Sequence, residues 1–243
     1  MVPINVGNRI VNNWIYPIDN GYVLVDTGYE TSFNRFLKNL GKQGIKAEDI
    51  KYVFLTHAHD DHAGFLNQLL TMAPDVKVIM HSNAIAALSR GQNSFTGGCT
   101  SRVALLFCLF MKLLGRGTHR FPPLGHCFEE RCIFITDENR GDLEKRLHGR
   151  ILETPGHTAD SISLFQNSGV LFCGDASMSG FPSLHKITIW AENKVEFAES
   201  WNKIIALNPK IIYPGHGNAI ACNELKNKLP FVQVMKLYPL KPS

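Results

Sequence analysis

The chain has 243 residues, of which 44% are hydrophobic and 19% charged, so it can bury a substantial core within one large domain. No long stretch is both polar and repetitive, which excludes a disordered chain, and no apolar run reaches the roughly 18 residues that span a bilayer. The formal net charge of +4 comes from one segment, because residues 92–128 contain no Asp or Glu but hold Arg102, Lys112, Arg116 and Arg120. A broad nucleic-acid-binding face is therefore not expected.

Predicted elements follow one another without a linker that would divide the chain, so a single domain over residues 1–243 is expected. The turn Asp19-Asn20-Gly21 between two apolar runs predicts a hairpin of strands 9–18 and 22–26. An amphipathic helix is predicted over about 32–42, and a second helix ends near Met72. Further strands are predicted at 52–55, 76–80, 132–135, 150–153, 161–165, 170–173 and 210–213, and further helices at 83–89, 195–207 and 221–229.

Four potential metal ligands stand together between the strand 52–55 and the helix that follows it. These are His57, His59, Asp61 and His62, within the sequence Thr-His-Ala-His-Asp-Asp-His-Ala-Gly. A strand-to-helix loop on a rigid scaffold can aim several side chains at one point. Imidazole nitrogens and carboxylate oxygens together suit zinc and similar divalent ions. The cluster therefore predicts a metal site.

Three later segments repeat the arrangement of a strand followed by a polar loop, and they contain His157, Asp175 and His216. A glycine stands beside each of these residues, where it frees the backbone for an unusual turn. A single histidine at a strand end is more often structural, but these three segments join a cluster that needs further ligands. We therefore add all three residues to the predicted metal site.

This set of motifs resembles the metallo-β-lactamase superfamily. The motifs are His-x-His-x-Asp-His at 57–62, Pro-Gly-His at 155–157, Gly-Asp at 174–175, Pro-Gly-His-Gly at 214–217 and Asp-Thr-Gly at 26–28. The resemblance implies an α+β fold, a four-layer αββα sandwich with a two-metal site at one edge of the sheets. It also implies that His57, His59 and His157 hold one metal, that Asp61, His62 and His216 hold the other, and that Asp175 bridges them.

Such a site implies a hydrolase in which a metal-bridging hydroxide attacks an acyl or phosphoryl centre. Asp61 would orient the nucleophile and move a proton to the leaving group, and Asp60 is expected to support the site or face solvent. Zinc is the expected metal, with iron or manganese as alternatives. The expected substrate is an ester-like small molecule such as a thioester or lactone. The alternative is a diiron oxidoreductase or oxygen-dependent enzyme on the same ligands.

The most apolar segment is Val103–Leu114, within an apolar, basic insertion at about 92–128. Twelve helical residues span about 18 Å, too little to cross a membrane. A helix that is apolar nearly all round is expected to be buried on more than one side. A core helix, a homodimer interface, a lid that accepts an apolar or acyl substrate, and peripheral membrane contact all remain open.

The remaining predictions concern single residues and the cellular compartment. His185 follows Asp175 in the chain and could reach the substrate, although an ordinary surface histidine is the commoner case. Cys173 is expected to be a buried structural thiol. Six scattered cysteines without a Cys-x-x-Cys pair, and an N-terminus without a secretory pattern, predict reduced thiols in a cytoplasmic protein.

Overall fold

The computed structural model describes residues 2–240, so Met1 and residues 241–243 of the predicted domain lie outside the described part. The chain forms two compact units. The first runs up to Asn93 and includes Arg120–Ile151, and the second consists of Ser94–His119 and the chain from Leu152 onward. Whether the whole chain acts as one domain remains a prediction.

Strands and helices alternate along most of the chain. The strands are β1 (Ile4–Asn5), β2 (Trp14–Ile18), β3 (Gly21–Val25), β4 (Ile50–Phe54), β5 (Lys77–Met80), β6 (Gly98–Cys99), β7 (Cys132–Phe134), β8 (Gly149–Glu153), β9 (Ile162–Gln166), β10 (Val170–Gly174), β11 (Trp190–Ala191) and β12 (Ile211–Pro214). The helices are α1 (Phe33–Lys42), α2 (Asp60–Ala63), α3 (Leu66–Met72), α4 (Ala84–Arg90), α5 (Arg102–Leu113), α6 (Asp137–Leu147), α7 (Lys194–Leu207) and α8 (Cys222–Gln233).

The first unit contains a six-stranded sheet in the order β1-β2-β3-β4-β5-β7. The predicted hairpin is confirmed as the antiparallel pair β2–β3, with Ile18 opposite Gly21, but its first strand begins at Trp14 and not at residue 9 as predicted. From β3 to β7 the neighbouring strands run parallel. Parallel strands end at the same edge of a sheet, so the segments that follow β3 and β4 begin side by side. This edge carries the first group of candidate ligands.

Apolar side chains fill one face of that sheet and fix the helices on it. The predicted helix over 32–42 is confirmed as α1, and its Phe36 is buried against Phe65, with ring centroids 4.9 Å apart. Phe33 lies 5.5 Å from the same ring. These aromatic contacts tie α1 to the segment between α2 and α3, and so they support the polar loop next to it.

Helix α6 was not predicted from the sequence. Its eleven residues are mostly charged or polar, and only Leu143 and Leu147 are buried. One pair of leucines four residues apart is too short a pattern to stand out as a helix. The signal that could have found it is the capping box, in which Thr136 and Asn139 exchange hydrogen bonds between side chain and backbone.

The second unit contains a four-stranded sheet in the order β12-β10-β9-β8, where β8 is the strand in which the chain leaves the first unit. β10 pairs antiparallel with β9 and parallel with β12. The short strands β6 and β11 pair separately. α7 contributes Trp201 to the core of this unit, where its indole Nε1 donates to the Ala176 carbonyl at 2.7 Å. The ends of β10 and β12 therefore lie side by side.

Helix α5 has almost the predicted bounds, but its predicted burial is wrong. Of its side chains only Ala104 is buried, whereas Leu106 is 67% and Leu113 is 85% exposed. Apolar residues nearly all round the helix predicted burial on several sides, but the helix packs along one narrow side only. Among the described residues no helix combines the length and apolar character needed to cross a membrane.

All six cysteines are free thiols, in agreement with the prediction. Cys99 in β6 and Cys108 in α5 are hydrogen-bonded to each other, and this bond raises the pKa of Cys99 and lowers that of Cys108. Burial raises the pKa of the Cys132 thiol to about 11. The thiolate is the reactive form, so a low pKa favours alkylation.

We therefore expect iodoacetamide at pH 8 to modify Cys108 faster than Cys132 in the folded protein, as followed by peptide mass spectrometry. Cys99→Ala removes the donor and should slow the reaction of Cys108, whereas Cys99→Ser keeps a donor and should slow it less. Equal rates at Cys108 in all three proteins would contradict this role for Cys99.

Candidate metal centre

The segment after β4 carries the first group of candidate ligands. His57 and His59 are buried in the extended chain, while Asp61 and His62 lie in the short helix α2, so the four residues do not share one loop as predicted. The turn of α2 begins at His59, whose carbonyl accepts hydrogen bonds from the backbone of His62 and Ala63. This turn brings His62 back beside His57, with ring centroids 4.1 Å apart.

The four side chains form one cluster within the first unit. The rings of His57 and His59 lie 4.6 Å apart, and their nearest ligand atoms lie within 4.8 Å of each other. His62 Nε2 lies 3.9 Å from Asp61 Oδ1. Asp61 is the most accessible member, since 15% of its side chain is exposed. This cluster thus joins three buried imidazoles to one carboxylate that solvent can reach.

Asp26 orients two of these histidines at once. It follows β3 with a left-handed backbone (φ 59°), and its carboxylate accepts hydrogen bonds from the Thr56 backbone and hydroxyl, both at 2.7 Å. Its Oδ2 also lies 2.8 Å from His62 Nδ1. The Thr56 hydroxyl, which donates to Asp26, lies 3.0 Å from His57 Nδ1 and so accepts from it.

These bonds fix the proton on Nδ1 of both rings. Because the Asp26 carboxylate and the Thr56 oxygen act as acceptors, His57 and His62 carry hydrogen on Nδ1, and Nε2 is the ring nitrogen that could bind a metal. A carboxylate behind a histidine is the usual way in which proteins orient a metal-binding imidazole. In the sequence, residues 26–28 stood out only as a recurring family element. The role of Asp26 could not be predicted because it depends on the parallel pairing of β3 and β4.

Gly64 lets the helix turn approach the segment after β3. A Cβ at this position would lie 2.7 Å from the Gly28 carbonyl oxygen and would also meet the backbone of Asp60 and Glu30. Backbone on three sides cannot move away as a flexible side chain can.

We expect Gly64→Ala to lower the free energy of unfolding by about 1–3 kcal/mol, or more if the backbone cannot adjust. The matched control is Gly41→Ala in α1, where nothing lies within 4 Å of the added Cβ. The control should be neutral or stabilising, since alanine favours a helix by about 0.5–1 kcal/mol over glycine. Urea unfolding curves that show equal effects for both variants would contradict the close approach at Gly64.

The second unit gathers His157, Asp175 and His216. Asp175 follows β10 and His216 follows the parallel strand β12, where Gly215 N donates to the Gly174 carbonyl at 2.8 Å. Asp175 Oδ2 lies 3.7 Å from His157 Nε2 and 3.5 Å from His216 Nε2. All three side chains are buried. One carboxylate oxygen thus faces two imidazole nitrogens from two other loops.

His157 is oriented as His57 and His62 are. Its Nδ1 donates to the Trp190 carbonyl at 2.8 Å, and this acceptor fixes a proton on Nδ1 while Nε2 faces Asp175. The preceding Gly156 has φ 123°, and an added Cβ would strike the backbone of Phe197 at the start of α7. The predicted reason for a glycine beside this histidine, an unusual backbone turn, is therefore correct.

The structure also places three other residues that the sequence analysis singled out. Asp60 exchanges hydrogen bonds of 2.7 and 2.8 Å with the Asn93 amide, so it holds the first turn of α2. Cys173 is buried in β10, as predicted. His185 is exposed, and its ring stacks on Phe231 of α8 with centroids 3.7 Å apart.

The donor atoms of both clusters suit divalent metal ions of borderline softness. Neutral imidazoles with Nε2 available and ionised carboxylates are ligands that zinc and iron share in proteins. Burial keeps these donors in a region of low polarity, where a cation would replace the solvation that they have lost. Buried histidine and aspartate side chains, gathered at strand ends, define a metal-binding protein of mixed α and β structure.

Comparison with known protein families identifies the family of this metal-binding protein. The family profile described as "Metallo-beta-lactamase superfamily" matches residues 6–216. The chain therefore belongs to the metallo-β-lactamase superfamily, as its motifs indicated.

Curated relatives cover most of the chain at modest identity. The "Beta-lactamase-like protein 2 homolog" of Drosophila melanogaster is 26% identical over 211 residues, which are 86% of this chain and 59% of that protein. The chain thus spans less than two thirds of that relative. The "Probable metallo-hydrolase YqjP" of Bacillus subtilis is 28% identical over 244 residues, 90% of this chain and 70% of that one.

A solved structure shares the fold. A metallo-β-lactamase mutant from Cronobacter sakazakii superposes with a TM-score of 0.64 at 16% identity, over 95% of this chain and 88% of that one. The predicted fold class, an α+β fold of the metallo-β-lactamase type, is confirmed.

Proposed function

We propose that the protein is a metal-dependent hydrolase and that its two ligand clusters together hold two divalent ions, expected to be zinc. In this proposal His57, His59 and His157 bind one ion, Asp61, His62 and His216 bind the other, and Asp175 is shared. The observation that carries the proposal is the orientation of His57, His62 and His157, whose Nδ1 atoms are all engaged while Nε2 is presented. Family membership supports the joint use of the two clusters.

Bound metal ions would supply Lewis acidity and a hydroxide nucleophile near neutral pH. The chain's own residues do the rest. Asp61 is partly exposed, so its carboxylate can orient a water molecule and hold a proton for the leaving group. Asp26, directly and through Thr56, and the Trp190 carbonyl engage Nδ1 of three imidazoles, so that Nε2 of each ring is the atom that would bind a metal. Asp175 supplies negative charge between His157 and His216.

We propose an ester-like small molecule, such as a thioester or a lactone, as the substrate. A relative named as a probable metallo-hydrolase supports hydrolysis, and the clusters themselves specify how water is activated rather than what is attacked. The free thiols support a reducing compartment, so we also propose that the protein works in the cytoplasm.

Metal analysis followed by a substrate panel tests this function. Protein purified without added metal would be quantified for zinc, iron and manganese, stripped with a chelator, and assayed on thioesters, lactones, β-lactams and phosphodiesters before and after zinc is restored. We expect about two zinc equivalents and turnover of an acyl substrate that returns only with metal. A yellow-brown iron protein that consumes oxygen and hydrolyses none of the panel would instead support the diiron alternative.

A further inference from the structure

The solvent face of α5 is apolar, the reverse of an ordinary surface helix. Leu106, Phe110 and Leu113 are 67%, 57% and 85% exposed, and Val103 and Leu109 are exposed beside them. Their spacing of three and four residues places all five on one side of the helix. The buried Ala104 lies on the other side. A continuous apolar stripe facing water marks an interaction site.

The same surface continues beyond the helix. Phe181, 79% exposed, packs edge-on against Phe107 with ring centroids 5.9 Å apart. At the start of α5, Arg102 lines a groove of about 410 Å³ together with Lys236 and the exposed Val234. The apolar stripe therefore has a cationic, partly apolar groove at one end.

Positive charges lie at both ends of this surface, and the segment brings no negative charge of its own. Arg102 begins α5, Lys112 lies in its last turn, and the exposed Arg116 follows it. No Asp or Glu occurs in residues 92–128. A partner that complements this surface must offer an apolar region bordered by negatively charged groups.

We propose that α5 is a docking helix that lies flat on an anionic phospholipid surface, with Leu106, Phe110 and Leu113 among the acyl chains. Twelve residues span about 18 Å, which suits a helix lying in the interface rather than across it. Arg102, Lys112 and Arg116 would meet lipid phosphates. This proposal does not depend on the hydrolase activity.

A second copy of the chain fits the surface less well. If two α5 helices packed antiparallel, the Arg102 of each copy would approach the Arg116 of the other, and the segment holds no carboxylate to pair with them. Like charges brought together at an interface cost binding energy. Self-association through α5 is therefore an outcome that would count against the proposal.

Flotation with lipid vesicles tests the docking. We expect the full chain to bind vesicles of phosphatidylcholine mixed with phosphatidylglycerol, and to bind vesicles of phosphatidylcholine alone much more weakly. Leu106→Ser combined with Phe110→Ser should lower the partition coefficient at least about tenfold. Arg102→Gln combined with Arg116→Gln should lower it about twenty-five-fold on the anionic vesicles, since each cation contributes about fivefold.

Matched controls separate docking from general changes in apolarity and charge. Met72→Ser with Val195→Ser removes two exposed apolar side chains from α3 and α7, and Lys38→Gln with Lys42→Gln removes two charges from α1. Both controls should bind vesicles as the original chain does. Circular-dichroism melting curves should match for all variants, because every substituted side chain is exposed.

A direct contact measurement makes the test independent of loss of binding. A tryptophan introduced by Leu113→Trp should be quenched by brominated lipids, whereas one introduced by Val195→Trp should not. The proposal is overturned if the original chain does not bind anionic vesicles, if Leu106→Ser with Phe110→Ser binds equally well, or if that variant converts a sedimenting dimer into a monomer.

Discussion

Replacing Asp175 with asparagine is expected to reduce metal-dependent turnover by more than about a hundredfold and to lower the number of retained metal equivalents. The carboxylate lies within 3.7 Å of His157 Nε2 and 3.5 Å of His216 Nε2, and it is buried. Asparagine has nearly the same shape but no charge, so the change removes a ligand and leaves the volume filled. Metal content by mass spectrometry and turnover on the best substrate of the panel measure both effects.

The control for this substitution is Asp142→Asn in α6, which makes the same chemical change on a side chain that is 77% exposed. It should leave metal content and turnover unchanged. If Asp175→Asn kept two metal equivalents and turned over within about twofold of the original chain, Asp175 would not be a shared ligand.

Replacing Asp26 with asparagine is expected to act on both histidines that it orients, without touching any ligand atom. The variant loses the charge that accepts from His62 Nδ1 at 2.8 Å and from the Thr56 hydroxyl at 2.7 Å. Residues behind a metal ligand are worth about 10–100-fold in metal affinity. Hydrogen bonds to a charged acceptor contribute about 1.5–3 kcal/mol each to folding free energy. We therefore expect weaker zinc binding in competition titrations and a lower unfolding midpoint in urea.

A second aspartate–histidine pair in the same unit provides the control. Asp19 Oδ1 lies 3.3 Å from His148 Nε2, but the Asp19 side chain is 89% exposed. Exposed ion pairs contribute about 0–1 kcal/mol, so Asp19→Asn should change neither metal affinity nor the unfolding midpoint by much. Equal effects of the two substitutions would mean that Asp26 has no special role.

The sequence was sufficient for the parts of the molecule that depend on local pattern. The hairpin around Asn20-Gly21 and helix α1 have local causes, namely a turn dipeptide and a repeat of three and four residues. The ligand motifs were also visible, since residue types with strong metal preference stood at strand ends. Their grouping within each unit follows from parallel strand pairs that end at one edge.

What the sequence could not supply depends on contacts between distant segments. The role of Asp26 requires β3 and β4 to be neighbours, 30 residues separating Asp26 from Thr56 along the chain. Helix α6 has too few apolar residues for a periodic signal. Helix α5, in contrast, has many apolar residues, and its predicted burial was wrong. Hydrophobicity measures a tendency to be covered and does not identify the covering surface.

One chain of hydrogen bonds also bears on how the protein would bind its two metal ions. It joins His57, Thr56, Asp26 and His62. Under the proposed assignment these two histidines serve different ions, yet a single carboxylate polarises both rings. Binding of an ion at one of these histidines would then change how strongly Asp26 polarises the other ring, and so the basicity of that ring. Stepwise uptake of the two cations would thus be thermodynamically linked through the protein scaffold, even before any ligand shared by both ions is considered.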